Sequence, residues 1–398
     1  MHIAIVGGGL VGLGTARALR EARPEASITV IEKEDRLGAH QSTHNSGVLH
    51  AGLYYKPGSS KARLAVEGIR LMRKFCEEHD VAHETCGKLV VATTEDEVPR
   101  LRALEERGRA NGLTGIARLG PAAAREREPS VRAVEALVVP EEGIVDYAGV
   151  VNALERSLRA SGVAFLLRSE VRTIERRGGA WRIEGSDFAT EADLLVTCAG
   201  LQSDRVARLA GVRTASRIVP FRGEYYELAR EHRGLVRHLI YPVPDPAFPF
   251  LGVHFTRMIG GGVECGPNAV LALAREALDW RTVRPRDVAD TLAFPGVWRF
   301  LMRHGRVAFG EIWRSLSREA FVASLQRLVP DLRAEMLIPG GAGVRAQAMR
   351  PDGSLVEDFE LVRAHDAVHV INAPSPAATA SLAIGKVIAE ATLEGRRG

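Results

Sequence analysis

Paired cysteines are missing from this sequence of 398 residues. Its four cysteines stand apart, without a CxxC pair: Cys76, Cys86, Cys198 and Cys265. This spacing argues against a disulfide framework and against a structural zinc site. We therefore predict that no metal is bound and that the protein works in a reducing compartment, the cytoplasm.

The sequence also lacks a clean hydrophobic run long enough to span a membrane. The longest late uncharged run, Ala367 to Gly385, is interrupted by Asn372, two prolines and several hydroxyl side chains. Residues 1–16 are largely apolar, but no basic segment precedes them, so a glycine motif explains them better than a signal peptide would. A net charge of +4 is mild, and we predict no nucleic-acid partner.

The first 32 residues have the pattern of a nucleotide-binding unit. His2–Val6 is an apolar run of strand type, Leu10 to Ala22 has helical spacing, and Ile28–Ile31 is a second strand that ends on Glu32. The helix N-terminus offers N–H groups to an anion, and Glu32 can accept hydrogen bonds from ribose hydroxyls. Between the first strand and the helix lies GxGxxG, formed by Gly7, Gly9 and Gly12. These three allow a tight turn, a close backbone approach to a pyrophosphate, and close helix–strand contact.

Later segments favour FAD over NAD as the nucleotide. The apolar run from Ala192 closes in Thr-x-Ala-Gly at Gly200, a turn typical of flavoproteins with two dinucleotide-type units. Val163–Leu167, Val171–Glu175 and Ala180–Glu184 read as strands before it, with a turn at 177–179. Near the C-terminus, the strand Val368–Ala373 precedes a helix from Ala377 to Leu393. That helix would aim its N-terminus at an anion-like group such as the flavin O2/N1 edge.

Several motifs make the chain resemble the FAD-dependent D-amino-acid-oxidase superfamily, and within it the L-2-hydroxyglutarate oxidase/dehydrogenase family. They are HNSGVLHAGLYYKPGS (His44–Ser59), FRGEYYEL (Phe221–Leu228), IYPVPDPAFPFLGVHFTR (Ile240–Arg257), GPNAVLA (Gly266–Ala272) and NAPSPAATASLAIG (Asn372–Gly385). The loop after Arg257 departs from the pattern, because Gly260 stands where an Asp is expected. The resemblance implies an α/β (α+β) fold of the glutathione-reductase-like kind, in which a Rossmann-like FAD domain joins a substrate domain with a mostly antiparallel sheet.

The resemblance also implies the division of the chain and the residues around FAD. We expect an FAD-binding domain from residues 1–80, 141–211 and 341–398, and a substrate domain from 81–140 and 212–340. The segment after the ribose acid would pass beneath the pyrophosphate and beside the flavin, where Gly47 and Gly52 bring the backbone close. The expected FAD contacts are Gly7, Gly9, Gly12, Glu32, Lys33, His44, Asn45, Ser46, Val171, Ala199, Gly200, Ser375, Ala378 and Thr379.

The implied reaction is oxidation of a 2-hydroxy acid, with hydride passing from C2 to flavin N5 and the hydroxyl proton to a base. Histidine suits that base because its ordinary pKa lies near working pH. Two histidines qualify: His50, which would look toward flavin and substrate, and His254, on a strand with alternating polar side chains. Either could instead be held structurally.

A five-carbon dicarboxylate needs two anion sites, and the bidentate fork of arginine suits them. Arginine is so abundant here that most of its positions carry no information. Arg345 follows a glycine-rich approach to the last flavin unit, Arg257 ends the His254 strand, and Arg222 stands near Tyr225. We favour Arg345, and each of the other arginines could instead pair with nearby acids.

Residues 281–328 carry nine arginines against four acids, and apolar residues recur there at helical spacing. Basic amphipathic helices with aromatic side chains can lie on anionic membranes. The prediction is a peripheral contact with the inner face of the cell membrane, which would suit electron transfer to a quinone; oxygen or a carrier protein are the other acceptors. The alternative is that these helices pack on the sheet and solvate their basic face.

Three other functions stay open at this stage. A related enzyme could oxidise glycerol 3-phosphate or an amino or N-methyl amino acid. A non-catalytic flavin-binding protein would have no need of pocket histidines. An NAD-dependent enzyme would share the glycine fingerprint but would not be yellow.

Overall fold

The strands gather into two large sheets and two small ones in the computed structural model, which describes residues 1–245 and 251–394. The described strands, β1 to β21, are His2–Val6, Ser27–Ile31, Val48–Leu49, His83–Glu84, Lys88–Ala92, Ala117–Leu119, Glu135–Val139, Gly143–Val145, Ala164–Leu166, Thr173–Arg177, Ala180–Glu184, Ala189–Ala192, Leu194–Thr197, Arg217–Leu228, Leu239–Pro242, His254–Arg257, Val263–Gly266, Val270–Leu271, Leu337–Met349, Glu360–Ala364 and Ala367–Asn372. The described helices, α1 to α10, are Leu10–Ala22, Ser60–Glu78, Val98–Ala110, Pro121–Arg127, Tyr147–Ala160, Ser203–Leu209, Pro285–Leu292, Pro295–Leu316, Arg318–Leu325 and Ala377–Glu394.

The first large sheet has the order β20-β21-β13-β1-β2-β9 and is parallel except for the β20–β21 pair. Strand β1 lies between β13 and β2, with Ile5 opposite Val196 on one side and Val30 on the other. Central parallel strands are covered on both faces, which is why β1 is a nearly continuous apolar run. This sheet brings the carboxyl ends of β1, β13 and β21 to one edge, where the glycine motif follows β1.

Helix α10 crosses α1 at very short range on one face of this sheet. A Cβ at Gly385 would lie 2.3 Å from the carbonyl carbon of Gly14, and one at Gly14 would lie 2.5 Å from the Ser381 carbonyl oxygen. Only glycine permits that approach. The contact fixes the start of α10 beside the start of α1.

The second large sheet has the order β18-β14-β17-β16-β15-β5-β7-β6, with β19 paired to β14. Its pairs are antiparallel except β15–β5. The mostly antiparallel second sheet and the α/β class that we predicted are therefore confirmed. Strands β14 and β19 are the longest, at 12 and 13 residues, and they carry Tyr225 and Arg345 toward the first sheet.

Some strand bounds differ from the sequence prediction. Val171 lies before β10, which begins at Thr173 and runs on to Arg177. Residues 246–250 of the IYPVPDPAFPF motif and residues 395–398 lie outside the described part of the chain. Among the described residues, no helix combines the length and apolarity needed to cross a bilayer.

The amphipathic segment 281–328 divides into buried and exposed parts. Parts of it pack as core, with Phe294, Val297, Phe321, Leu325 and Leu328 buried. Its middle does not: along α8 the apolar side chains of Trp298, Met302, Phe309, Ile312, Trp313 and Leu316 are exposed. These helices therefore pack on the protein in part, and several apolar side chains along α8 are left exposed; the membrane contact stays a prediction.

Candidate active site

A large cavity of about 1700 Å³ is lined by residues from both large sheets. At one end it is lined by the glycine motif and Glu32, and at the other by His50, His254 and Arg345. The predicted residues that line it are Gly7, Gly9, Glu32, Lys33, His44, Asn45, Ser46, His50, Val171, Ala199, Gly200, Tyr225, His254, Arg345, Ser375, Ala378 and Thr379. Residues from nine separated stretches of sequence thus meet in one place.

The turn after β1 can be built only from glycine. Gly7 has φ of +109°, and a Cβ there would lie 2.3 Å from the Cys198 carbonyl oxygen. A Cβ at Gly12 would lie 2.0 Å from the Gly7 carbonyl oxygen. Gly12 does not line the cavity; it lets α1 begin close against the turn, as the fingerprint requires.

The polar groups beside this turn are held by local hydrogen bonds. The Glu32 carboxylate accepts from the Gly8 and Glu34 amides at 2.8 and 3.0 Å. Ser42, which sequence reasoning missed, accepts at Oγ from the Leu10 amide at 2.9 Å. The Lys33 ammonium lies 3.0 Å from the Glu276 carboxylate. This ion pair joins the segment after β2 to another part of the cavity lining.

The segment His44–His50 forms one long wall of the cavity. The Asn45 side chain donates to the Gln41 and Ser42 carbonyls and accepts from the Gly47 amide, so it holds the turn. The backbone of His50 donates to Thr379 Oγ1 at 3.2 Å, which ties this segment to the first turn of α10. That first turn lines the cavity, as expected for a helix aimed at an anion-like group.

His254 is held in a stacked position at the substrate end. Its ring stacks on that of Tyr241, with centroids 3.9 Å apart and planes 22° apart, and its Nδ1 lies 2.9 Å from the Gly252 carbonyl oxygen. Burial lowers the pKa of His254 to about 3, so the ring is neutral at ordinary pH. Burial also raises the pKa of Tyr225 to about 12, with Arg345 acting in the opposite direction.

His50 has a different neighbourhood, which sequence reasoning missed. Its Nδ1 lies 3.6 Å from Oε2 of Glu142, and the ammonium of Lys88 pairs with that same oxygen. The side chains of Glu142 and Lys88 are fully buried, and neither lines the cavity. The only sequence signal was a lysine at the start of the apolar run Lys88–Ala92, which does not reveal its partner.

Two predicted anion sites lie elsewhere. The Arg222 side chain is fully buried, donates to Glu224 at 2.9 Å and lies 4.2 Å from the Trp280 ring centroid. Arg257 is half-buried and donates to Glu84 at 2.8 Å. Because acids hold both guanidinium groups, the structure does not bring either to the cavity. Gly47 and Gly52, which we expected to lie beside the flavin, do not line the cavity either. Their positive φ values turn the chain at these positions.

The residues present fit the FAD that the sequence predicts. The cavity is long, the glycine turn and α1 lie at one end where a pyrophosphate needs backbone approach, and Glu32 stands where a ribose would. The α10 N-terminus and the two histidines lie further along. FAD bound here would supply the hydride acceptor of the reaction.

Comparison with known proteins agrees with the FAD site described above. The model of the FAD-dependent oxidoreductase family named DAO matches residues 2–391. A protein of Indibacter alkaliphilus named L-2-hydroxyglutarate dehydrogenase is 44% identical over 99% of both chains. The protein of that name from Escherichia coli K12 is 42% identical over 96% of this chain and 90% of its own length. The fold is also that of L-alpha-glycerophosphate oxidase from Mycoplasma pneumoniae, solved with FAD bound, with a TM-score of 0.80, 22% identity, and coverage of 98% and 94%.

Proposed function

The chain belongs to the family of FAD-dependent oxidoreductases, and we propose that it oxidises L-2-hydroxyglutarate to 2-oxoglutarate. The near full-length similarity to proteins named L-2-hydroxyglutarate dehydrogenase carries this proposal. The cavity supports it, because a histidine and an arginine face the same end, as a hydroxy acid requires. FAD in the cavity would supply the hydride acceptor for C2, and the chain's own residues handle the proton and the carboxylate.

In this proposal His50 takes the hydroxyl proton. Its ring lines the cavity, and a carboxylate stands behind Nδ1, which stabilises the imidazolium formed when Nε2 accepts a proton. His254 has only a carbonyl behind it, and burial lowers its pKa to about 3. Burial lowers the pKa of both histidines, so the assignment of the proton to His50 rests on the carboxylate behind its Nδ1. His254 would serve as a neutral hydrogen-bonding group.

Arg345 would bind one carboxylate of the substrate. It lies on β19 opposite Phe221 of β14, and its side chain lines the cavity together with those of Tyr225 and His254. Its charge influences the pKa values of both those residues. A guanidinium that already acts on two groups in the cavity is well placed to act on an anion between them.

The test is anaerobic mixing of the purified, yellow protein with L-2-hydroxyglutarate, while the oxidised-flavin absorbance is followed. D-2-hydroxyglutarate, glycerol 3-phosphate and sarcosine are the matched alternatives. Bleaching with the L-hydroxy acid alone is the expected result. Bleaching with another compound and not with this one would replace the substrate, and a colourless protein would remove FAD from the scheme.

The location proposed for the protein is the cytoplasm, with α8 lying on the inner face of the membrane. In the C-terminal half of this helix two inward contacts are polar: the buried Glu311 accepts from the Ala269 amide at 2.8 Å, and Ser315 donates to Glu224. Its outward side is apolar, with Phe309 and Leu316 71% and 69% exposed. Arg299 and Arg303 are exposed on the same helix. Aromatic and basic side chains facing solvent together match an anionic lipid surface, and a quinone in that membrane would serve as electron acceptor.

Vesicle sedimentation tests this location. The FAD-loaded protein should bind vesicles containing anionic lipid, and Phe309→Ser should weaken that binding with little loss of activity on a soluble acceptor. Ile338→Ser is the control, because Ile338 is also exposed, at 43%, but lies on β19. Equal binding by all three proteins, or dimerisation through α8 without vesicle binding, would remove the membrane from the proposal.

A further inference from the structure

Two charged side chains lie behind His50 without reaching the cavity. Glu142 is on the turn between β7 and β8, and Lys88 begins β5. Both side chains are 0% exposed, whereas His50 retains 15%. Burying charges is costly even when they are paired, and apolar residues of similar volume would often serve the fold as well or better. The pair's position against a cavity histidine suggests a use other than stability.

The geometry gives Glu142 a specific relation to His50. One carboxylate oxygen, Oε2, faces both the Lys88 ammonium and His50 Nδ1, the latter at 3.6 Å. At that distance a small rotation of the ring makes a hydrogen bond, and such bonds often tighten only when substrate is bound. A carboxylate that accepts from Nδ1–H fixes the tautomer in which Nε2 carries the free lone pair.

Lys88 is in turn held over aromatic rings. Its Nζ lies 4.0 Å from the Tyr241 ring centroid and 5.3 Å from that of Tyr54, and His254 stacks on the same Tyr241 ring. The rings favour the cation at this place. Lys88 therefore anchors the Glu142 carboxylate and also supports the ring on which the second histidine rests.

The charges around His50 act in opposite directions. Burial lowers the pKa of His50 and Lys88 lowers it further, while Glu142 raises it. Lys61 of α2 also lowers that pKa, and His50 interacts with His254 on β16. The pKa of Glu142 itself is about 2, since the attraction of Lys88 and His50 outweighs its burial. Glu142 thus stays ionised throughout the working range.

We propose that Glu142 and Lys88 are positioning residues for the oxidation: Glu142 orients His50 as the base through Nδ1, and Lys88 holds the Glu142 carboxylate in place. This inference rests on the proposed function only in assigning His50 the proton. A buried ion pair thereby sets the tautomer of the base without contacting the substrate. His50 should accordingly be found as the Nδ1–H tautomer before substrate arrives.

The first experiment needs no substrate and no change to the pair. The side-chain nitrogens of ¹⁵N-histidine-labelled, FAD-loaded protein are observed by NMR, with His50 assigned from a His50→Gln sample. The expected form is Nδ1–H with an unprotonated Nε2. An Nε2–H tautomer would overturn the proposal. Because this readout is independent of turnover, it stands apart from any failure of L-2-hydroxyglutarate as substrate.

The second experiment measures flavin reduction against pH in variants of the pair, with the substrate that reduces the native enzyme. Glu142→Gln should slow reduction on the order of 10²-fold, the scale of a general base. It should also move the acid limb of the rate–pH profile, where the rate falls because the base becomes protonated, to lower pH. Lys88→Met should shift that limb to higher pH by roughly one unit, because a nearby cation is lost. Opposite shifts cannot come from a general loosening of the fold.

The double variant Lys88→Met/Glu142→Gln separates structure from positioning, because it leaves no buried charge unpaired. It should fold, retain FAD and still reduce slowly. Glu128→Gln is the control: Glu128 is equally buried and lies 2.8 Å from His238 Nδ1, but neither residue lines the cavity. If the double variant reduced its flavin at the native rate and with the native acid limb, Glu142 and Lys88 would be only a structural pair.

Discussion

Replacing Arg345 by methionine should weaken substrate binding far more than it slows chemistry. The side chain lines the cavity beside Tyr225 and His254, and a hydrogen bond to a charged group contributes roughly 1.5–3 kcal/mol. At about 1.4 kcal/mol for each tenfold change, the loss corresponds to roughly 10–150-fold in kcat/KM. An interaction made equally in the ground and transition states appears in KM, so we expect kcat to change little.

The assay is steady-state turnover on a soluble acceptor, with L-2-hydroxyglutarate and with L-2-hydroxybutyrate, which lacks the distal carboxylate. If Arg345 binds the distal carboxylate, only the dicarboxylate should lose kcat/KM in the variant. If it binds the carboxylate at C1, both should lose it. Arg345→Lys should recover part of the loss, because it keeps the charge but not the bidentate fork.

Arg257→Met is the matched control for this prediction. Arg257 is held by Glu84 outside the cavity, and a surface pair of this kind contributes about 0–1 kcal/mol to stability. Its kinetics should stay within about threefold of native, about 0.6 kcal/mol. A native kcat/KM in the Arg345→Met variant, or an equal loss in both variants, would refute the reasoning.

Three further outcomes follow from the structure. Gly12→Ala should lose FAD on purification, because the new Cβ would lie 2.0 Å from a backbone oxygen; flavin-to-protein absorbance measures this, and Gly120→Ala, with open space around it, should stay yellow. His254→Gln should leave the acid limb of the rate profile in place, since the pKa of His254 is about 3 and its ring is neutral above that value, whereas His50→Gln should abolish the limb. The Cys198 thiol should resist iodoacetamide at pH 8, because burial raises its pKa to about 12; rapid alkylation seen by mass spectrometry would contradict that assignment.

The segments that sequence predicted well are those whose pattern is local. β1, α1 and β2 follow the predicted strand, helix and strand closely, because a glycine turn and two hydrophobic periods lie within 32 residues. The α10 helix also begins at the predicted Ala377. In both cases the deciding contacts are between near neighbours in sequence, so the pattern contains them.

The parts that sequence missed depend on which partner a charged side chain finds in the fold and on which way a helix face turns. Arg222 and Arg257 stand in suggestive motifs, but Glu224 and Glu84 hold them away from the cavity. Helical spacing identified an apolar face on α8 without saying which way it turns. In the C-terminal half of α8 the buried Glu311 accepts from the Ala269 amide, and Phe309, Trp313 and Leu316 are left exposed.

The positions of the buried cations explain why Arg345 is the best candidate for binding the substrate. Lys88 and Arg222 are both fully buried, and each has a carboxylate partner, Glu142 or Glu224, that cancels its charge locally. Neither side chain lines the cavity, so neither can contact a dicarboxylate there. Arg345 faces the cavity instead, and its charge is already felt by His254 and Tyr225 across it. Position separates these cations: Lys88 and Arg222 lie outside the cavity lining, and Arg345 lies on the wall, where a substrate carboxylate can reach it.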